Sequence, residues 1–365
     1  MTDIVVIGAG YAGLAAAKLA ARWTGAKVTL VNERDRFVER VRLHQLAAGQ
    51  TLRDLPLVDL LRGTGVELVV DRVTAIDPEA RKVRLRDSAL SYDKLIYALG
   101  SHADLGAVPG VREHAQTVTT LEEAERLRLA LADARVVAVA GGGLTGIEAA
   151  AELAESHPRL EVHLVTAGAL GAGLSPAARA HLEKVFTRLG VVVHEQSRIT
   201  SVDARGLALA DGRVDADTVV WTAGFTVPDL ARSAGFEVDA QGRMIVDDTL
   251  TSVSHPDVVA VGDAAAMHRP DGQEIRMACA TGLPTTQRAV RALADKLRGR
   301  TPKPFRFSYI NQCVSLGRRD GLIQFVRSDD SPRDMVLTGR WAARYKEAVV
   351  KFTIAFQRHP TLPAG

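Results

Sequence analysis

Two stretches of the chain share one order of hydrophobic and polar positions. Each has a short β-branched run, then a cluster of glycines, then an Ala-rich segment suited to a helix. The first is DIVVIGAGYAGLAAAKLA and the second is RVVAVAGGGLTGIEAAAELAE. Both return to an apolar run, KVTLVNE and EVHLVTA respectively. Each copy therefore predicts a βαβ unit of about 30 residues, the connection that parallel strands require.

Between and after the copies the pattern changes to alternation around turn formers. Residues 66–87, VELVVDRVTAIDPEARKVRLRD, predict antiparallel strands added to the first unit, and residues 191–224 predict a similar piece after the second. Beyond Pro228 a helix is expected from Pro284 to about Leu297, because proline suits a first helical turn. The stretch RGRTPKP reads as a linker, and GRWAARYKEAVVKFTIAFQ as a terminal helix.

Composition narrows the function classes. A chain of 365 residues is long for one module, and its charge is only +3, from 46 Lys and Arg against 43 Asp and Glu. With no basic block, a nucleic-acid partner is not expected. No apolar run approaches the roughly 20 residues that span a bilayer. The start, Met1-Thr2-Asp3 before Ile4, lacks the pattern of a secretory signal, so a cytoplasmic location is expected. Cys279 and Cys313 are the two cysteines, too few for a disulfide scaffold and without C-x-x-C spacing; both are expected to be ordinary buried residues.

The glycines carry the first chemistry. Gly8, Gly10 and Gly13 form G-x-G-x-x-G between strand and helix, where backbone N–H groups and the helix N-terminus can approach a pyrophosphate. Glu33, 20 residues past Gly13, stands where a carboxylate accepts from an adenosine ribose. Gly141, Gly143 and Gly146 repeat the pattern, but the matching acid is replaced by Thr166 or Ala167, which leaves both NADH and NADPH open. The expected fold class is α/β, with two Rossmann-like dinucleotide-binding domains and a small α+β C-terminal region.

These residues resemble the two-dinucleotide-binding-domain flavoproteins, the pyridine nucleotide-disulfide reductase superfamily. Besides GAGYAG and GGGLTG, YDKLIYALGS and DTVVWTAGF are similar to its strand-to-loop elements, with Leu99 where Thr is usual, and VVAVGDAAA is similar to its Gly-Asp element. The resemblance implies FAD on the first fingerprint, NADH or NADPH on the second, and the nicotinamide domain inserted into the FAD domain. The implied domains are 1–110 with 228–300 for FAD, 111–227 for NAD(P)H, and 301–365 as a C-terminal domain. Implied cofactor contacts are Tyr11, Ala12, Arg34, Arg42, Val73, Ala98, Gly100, Gly262 and Asp263 on the FAD side, with Leu144, Thr145, Ala223 and Gly224 on the other.

Within the superfamily, the region following the first return strand, RDRFVERVRLHQLAAG, holds the reactive cysteines of disulfide reductases, and here it has none. That excludes thiol–disulfide exchange of the usual kind. The branch resembled most is that of type II NADH dehydrogenases and ferroptosis-suppressor or apoptosis-inducing-factor-like oxidoreductases. By that resemblance ACATGLPTTQRAV lines the flavin through Thr281, Gly282 and Leu283, with Gln287 near the electron acceptor. Glu148, matching a Gly-x-Glu element, is implied beside the nicotinamide and flavin, while Glu152 is read as a solvated helix charge. Arg42 and His44 are candidates to face the flavin.

Trp341, Tyr345, Val349, Phe352 and Phe356 fall on one helical face with basic residues around it. Residues 339–357 thus suit either packing on the protein or a partner copy, or peripheral contact with the inner face of a membrane. The function implied is an FAD-dependent NAD(P)H oxidoreductase that passes electrons from reduced flavin to a quinone-type acceptor. A ferredoxin-type reductase and a slowly turning NAD(P)H sensor remain alternatives, and a homodimer is left open.

Overall fold

The computed structural model describes residues 2–362, apart from the Cys279 side chain. Five parallel strands make the first sheet, in the order Val258–Ala260, Lys94–Tyr97, Asp3–Ile7, Lys27–Asn32, Glu67–Val70. Its central strand, Asp3–Ile7, has four of its five residues buried, as a strand covered on both faces must. The Ala-rich helix Tyr11–Thr24 covers one face, with small side chains permitting close approach, and stops at Gly25, whose φ of 71° is left-handed.

One expectation for residues 66–87 is corrected here. Glu67–Val70 pairs parallel with Lys27–Asn32, and only Ala75–Asp77, Lys82–Arg84 and Ala89–Ser91 form an antiparallel meander. The long crossover after Asn32, through the short helices Leu43–Ala47 and Leu57–Leu61, lets the chain re-enter the sheet in the same direction.

The second sheet repeats the plan in the order Val192–His194, Glu161–Val165, Val136–Ala140, Thr218–Trp221, Ala115–Gln116, again parallel. Here too the 191–224 piece is split, since its first and last strands join the parallel sheet. Only Ile199–Asp203, Gly206–Leu209 and Gly212–Asp215 form a meander. The two chain passages between the sheets run side by side, His102 paired with Thr226 and Ala103 with Phe225.

The helix expected from Pro284 begins five residues earlier and spans Cys279–Leu297. Pro284 breaks one hydrogen bond there, and buried threonines bond back to the chain: Thr281 Oγ1 to the Ala278 carbonyl at 2.6 Å and Thr286 Oγ1 to that of Gly282 at 2.7 Å.

After the linker, Asn311–Ser315, Gly321–Val326 and Pro332–Thr338 form an antiparallel sheet, followed by the helix Gly339–Arg358. That helix packs on the first unit through Phe356, which is fully buried beside Ala15 and Leu283. Buried Lys18 holds its end, donating to the carbonyls of Gln357 at 2.7 Å and Arg358 at 2.9 Å. A cation on the last carbonyls satisfies acceptors that a helix leaves open. The aromatic stripe is therefore divided: Phe356 is core, while Trp341 is 68% and Phe352 46% exposed. Among the described residues no helix is long and apolar enough to cross a membrane.

Candidate active site

Both glycine turns have the same construction. A Cβ on Gly13 would fall 1.8 Å from the Gly8 carbonyl oxygen, and one on Gly146 would fall 1.9 Å from that of Gly141, so only glycine lets each helix start this close to its strand. At Gly10 and Gly143 an added Cβ meets nothing within 4 Å, and neither helix N-terminus has a side-chain cap. The first-turn N–H groups therefore point into open space, an arrangement that accepts a pyrophosphate. This fits a dinucleotide at each turn.

One cleft of about 1920 Å³ joins the two units, well above the roughly 300–1,000 Å³ of ordinary ligand pockets. Its lining includes Gly8, Gly10, Tyr11, Ala12, Glu33, Arg34, Val73, Ala98, Gly100, Gly262 and Asp263 from the first unit. Leu144, Thr145 and Glu148 enter from the second, and Gly282 and Leu283 from the helix Cys279–Leu297. Asp263 accepts from Ser101 Oγ at 2.7 Å, and Arg40 donates to the Ser101 carbonyl at 2.6 Å. This Arg40–Ser101–Asp263 group went unmarked in the sequence, because its three members are separated by 61 and 162 residues.

Glu148 lies at the centre of the charged wall. Its carboxylate accepts from Lys346 Nζ and from the Ser315 N–H at 2.9 Å, joining the second glycine helix to the C-terminal region. Burial works against its charge, yet Lys346 and the Ser315 bond hold it below the usual carboxylate range. His44, also on the cleft, is pushed by burial down to about 4, against the pull of Glu148. It is neutral at pH 7, so Lys346 is the charge that matters to Glu148 there.

Several expected positions are corrected. Arg42 points away from the cleft into ion pairs with Glu347 at 2.8 Å and Glu39 at 3.2 Å, and Arg40 faces inward instead. Arg34 borders the cleft, but Glu122 takes its guanidinium, at 2.9 and 2.6 Å. Gln287 donates to the carbonyls of Pro360 at 2.7 Å and Leu362 at 2.6 Å and does not line the cleft, whereas Arg288 does. Thr281 is fully buried and bonded to its own helix start, while the cleft is lined by its neighbours Ala280 and Gly282.

Ala223 sits behind the second turn, where a Cβ on Gly141 would come within 2.9 Å of its N, while Gly224 accepts from the Asp104 N–H at 3.2 Å. Neither borders the cleft. Cys313 is half-buried and borders the cleft instead of sitting in a core. The Cys279 side chain lies outside the described residues. Glu152 is fully buried, not solvated; Gln50 donates to it, and burial pushes its carboxyl up to about 7.

The first glycine turn and the start of the second glycine helix face one cleft, the layout of an oxidoreductase that uses FAD and a nicotinamide nucleotide. Residues 2–292 match the pyridine nucleotide-disulphide oxidoreductase family, and the chain belongs to it. It is 34% identical over 311 residues to a NADH dehydrogenase-like protein of Mycobacterium tuberculosis, covering 78% of each chain. It is 29% identical over 353 residues to the demethylphylloquinone reductase NdbB of Synechocystis, covering 88% of this chain and 87% of that one. The fold is shared with NDH2 of Plasmodium falciparum solved with NADH, at a TM-score of 0.83 and 14% identity, over 98% and 97% of the two chains.

Proposed function

We propose that the protein is an FAD-dependent NAD(P)H:quinone oxidoreductase that meets its acceptor at a membrane surface. The observation that carries this reading is the single cleft into which the first glycine turn, the start of the second glycine helix and the terminal helix all project. The similarity to a demethylphylloquinone reductase over most of both chains supports a quinone as the acceptor. The unit boundaries we assign are 1–110 with 228–300 for FAD, 111–227 for the nicotinamide nucleotide, and 301–365 for the C-terminal region.

FAD, when held here, would supply the hydride-accepting and electron-releasing chemistry that the chain's own side chains lack. The chain's residues bind and orient. The N-terminus of Tyr11–Thr24 would hold the pyrophosphate, Glu33 the ribose hydroxyls, and Asp263, steadied by Ser101, the polar tail of the flavin. Lys346 Nζ, fixed between Glu148 and the Cys313 carbonyl at 3.2 Å, holds on the cleft wall one of the two protons that a two-electron reduction of a quinone consumes, the second coming from solvent.

Tyr345, Val349 and Phe352 both line the cleft and belong to the exposed face of the terminal helix, beside Trp341, Arg340 and Arg344. A basic, aromatic face at the cleft mouth suits an interfacial helix through which a lipid-soluble acceptor enters. The test is anaerobic stopped-flow absorbance of the FAD-loaded protein. NADH or NADPH should bleach the flavin band, and a soluble quinone should restore it within the turnover time. Bleaching without recovery would overturn the quinone assignment.

A further inference from the structure

The two glycine units are similar enough for a residue-by-residue comparison, and they differ in where the acid stands. In the first, Ile7 pairs with Val31 and the Gly8 N–H donates to the Val31 carbonyl at 2.8 Å; in the second, Ala140 pairs with Val165 and Gly141 donates to Val165 at 2.8 Å. Two residues further on, the first unit has Glu33 and the second has Ala167. The ribose-binding carboxylate is thus missing from the second strand of the nicotinamide unit.

It is present on the strand alongside. Val31 pairs with Val69 in the first unit, and Val165 with His194 in the second. The residue after Val69 is the apolar Val70, whereas the residue after His194 is Glu195. Glu195 is exposed and turns toward the loop that follows the second strand. Its carboxylate reaches over the loop that carries Ala167 and accepts from the Leu170 N–H. Two backbone bonds lash the same loop down, from Gln196 N to the Gly168 carbonyl at 3.2 Å and from Ser197 N to that of Thr166 at 2.9 Å. Leu170 N–H is a neutral donor, so the charge of the exposed Glu195 is not cancelled by it.

We infer that Glu195 is the coenzyme-specificity residue of this protein, selecting NADH by facing the adenosine ribose from the third strand in place of the missing acid on the second. A carboxylate there accepts from a 2′-hydroxyl and repels a 2′-phosphate, which carries up to two negative charges at neutral pH. The inference rests on the nicotinamide-dependent reading above and deepens it by naming the donor.

The test is the second-order rate of flavin bleaching by NADH and by NADPH, measured anaerobically on the FAD-loaded wild type, Glu195→Gln and Glu195→Arg. The amide of Glu195→Gln still accepts from Leu170 N–H, so it keeps the loop and removes only the charge. The wild type should prefer NADH by about 100-fold. Glu195→Gln should raise the NADPH rate about tenfold and lower the NADH rate by about threefold to tenfold, as the charged acceptor of the 2′-hydroxyl is lost, and Glu195→Arg should raise NADPH further by pairing with the phosphate. A wild type that uses both donors equally, or an unchanged donor ratio in both variants, would overturn the inference and leave Glu195 a loop fastener. Failure of either donor to bleach the wild type would instead overturn the dehydrogenase reading and this inference with it.

Discussion

The Lys346 ammonium sits on the Glu148 carboxylate, tying the terminal helix to the second glycine helix across 198 residues of sequence. Neither charge would be stable there alone, since both side chains are about 15% exposed or less.

Removing the cation should reverse the pH response of this site. In the wild type Glu148 titrates below the usual range, so its contribution to stability is present above about pH 4.5 and is lost as pH falls through the lowered value. In Lys346→Met burial dominates and the carboxyl rises. The variant should then lose stability as pH rises from about 5 to 8, by about 3 kcal/mol at the upper end. Adding Glu148→Gln should return part of it. Melting temperatures at pH 5 and pH 8 decide the matter; parallel curves for wild type and Lys346→Met would show that the pair carries no such energy.

Glu152 gives a second pH signature in the wild type, opposite in sign to that of the paired Glu148. Its carboxyl titrates at about 7 in the folded chain, above the unfolded value, so stability falls as pH rises between about 4.5 and 7 and is level above that. Glu152→Gln should be nearly neutral at pH 4.5 and stabilising by roughly 1–3 kcal/mol at pH 8. A variant less stable than wild type at pH 8 would mean that the ionised carboxylate is compensated in the fold.

The two glycine turns can be separated by the step each one serves. Gly13→Val should yield protein without flavin, because its side chain cannot share space with the Gly8 carbonyl. Gly146→Val meets the same obstacle at Gly141 but should retain its flavin and fail to be bleached by nicotinamide. Flavin content at 450 nm and stopped-flow bleaching read the two outcomes, and full flavin occupancy in Gly13→Val would contradict the first assignment.

Because the amide of Gln287 is spent on the chain's own Pro360 and Leu362 carbonyls, Gln287→Ala should change the KM for quinone by less than about twofold. A tenfold rise would put the side chain at the acceptor after all.

The exposed face of the terminal helix should act at the membrane without acting on the fold. Trp341→Asp removes apolar surface that the protein leaves exposed and that does not border the cleft, so flavin content and turnover with soluble quinone should persist. Partition onto anionic vesicles should fall about tenfold or more. Equal partition of variant and wild type would assign the face another occupant.

Local order along the chain determined a good deal. Strand, glycine turn, helix and return strand are contiguous, and a turn that only glycine can make is written in the residues that make it. From these came the α/β class and the two nucleotide turns. The tertiary structure decided whatever depends on residues distant in sequence. Helical period put Glu152 on a face that looked solvated, but the short helix Leu43–Ala47 packs there and buries it. Spacing could not separate Arg40 from Arg42, because a 3-10 turn, not a regular helix, aims them. Nor could it pair Lys346 with Glu148 or bring Glu195 over Ala167's loop, since a charge finds its partner through packing and strand register, and neither is encoded by neighbours in the chain.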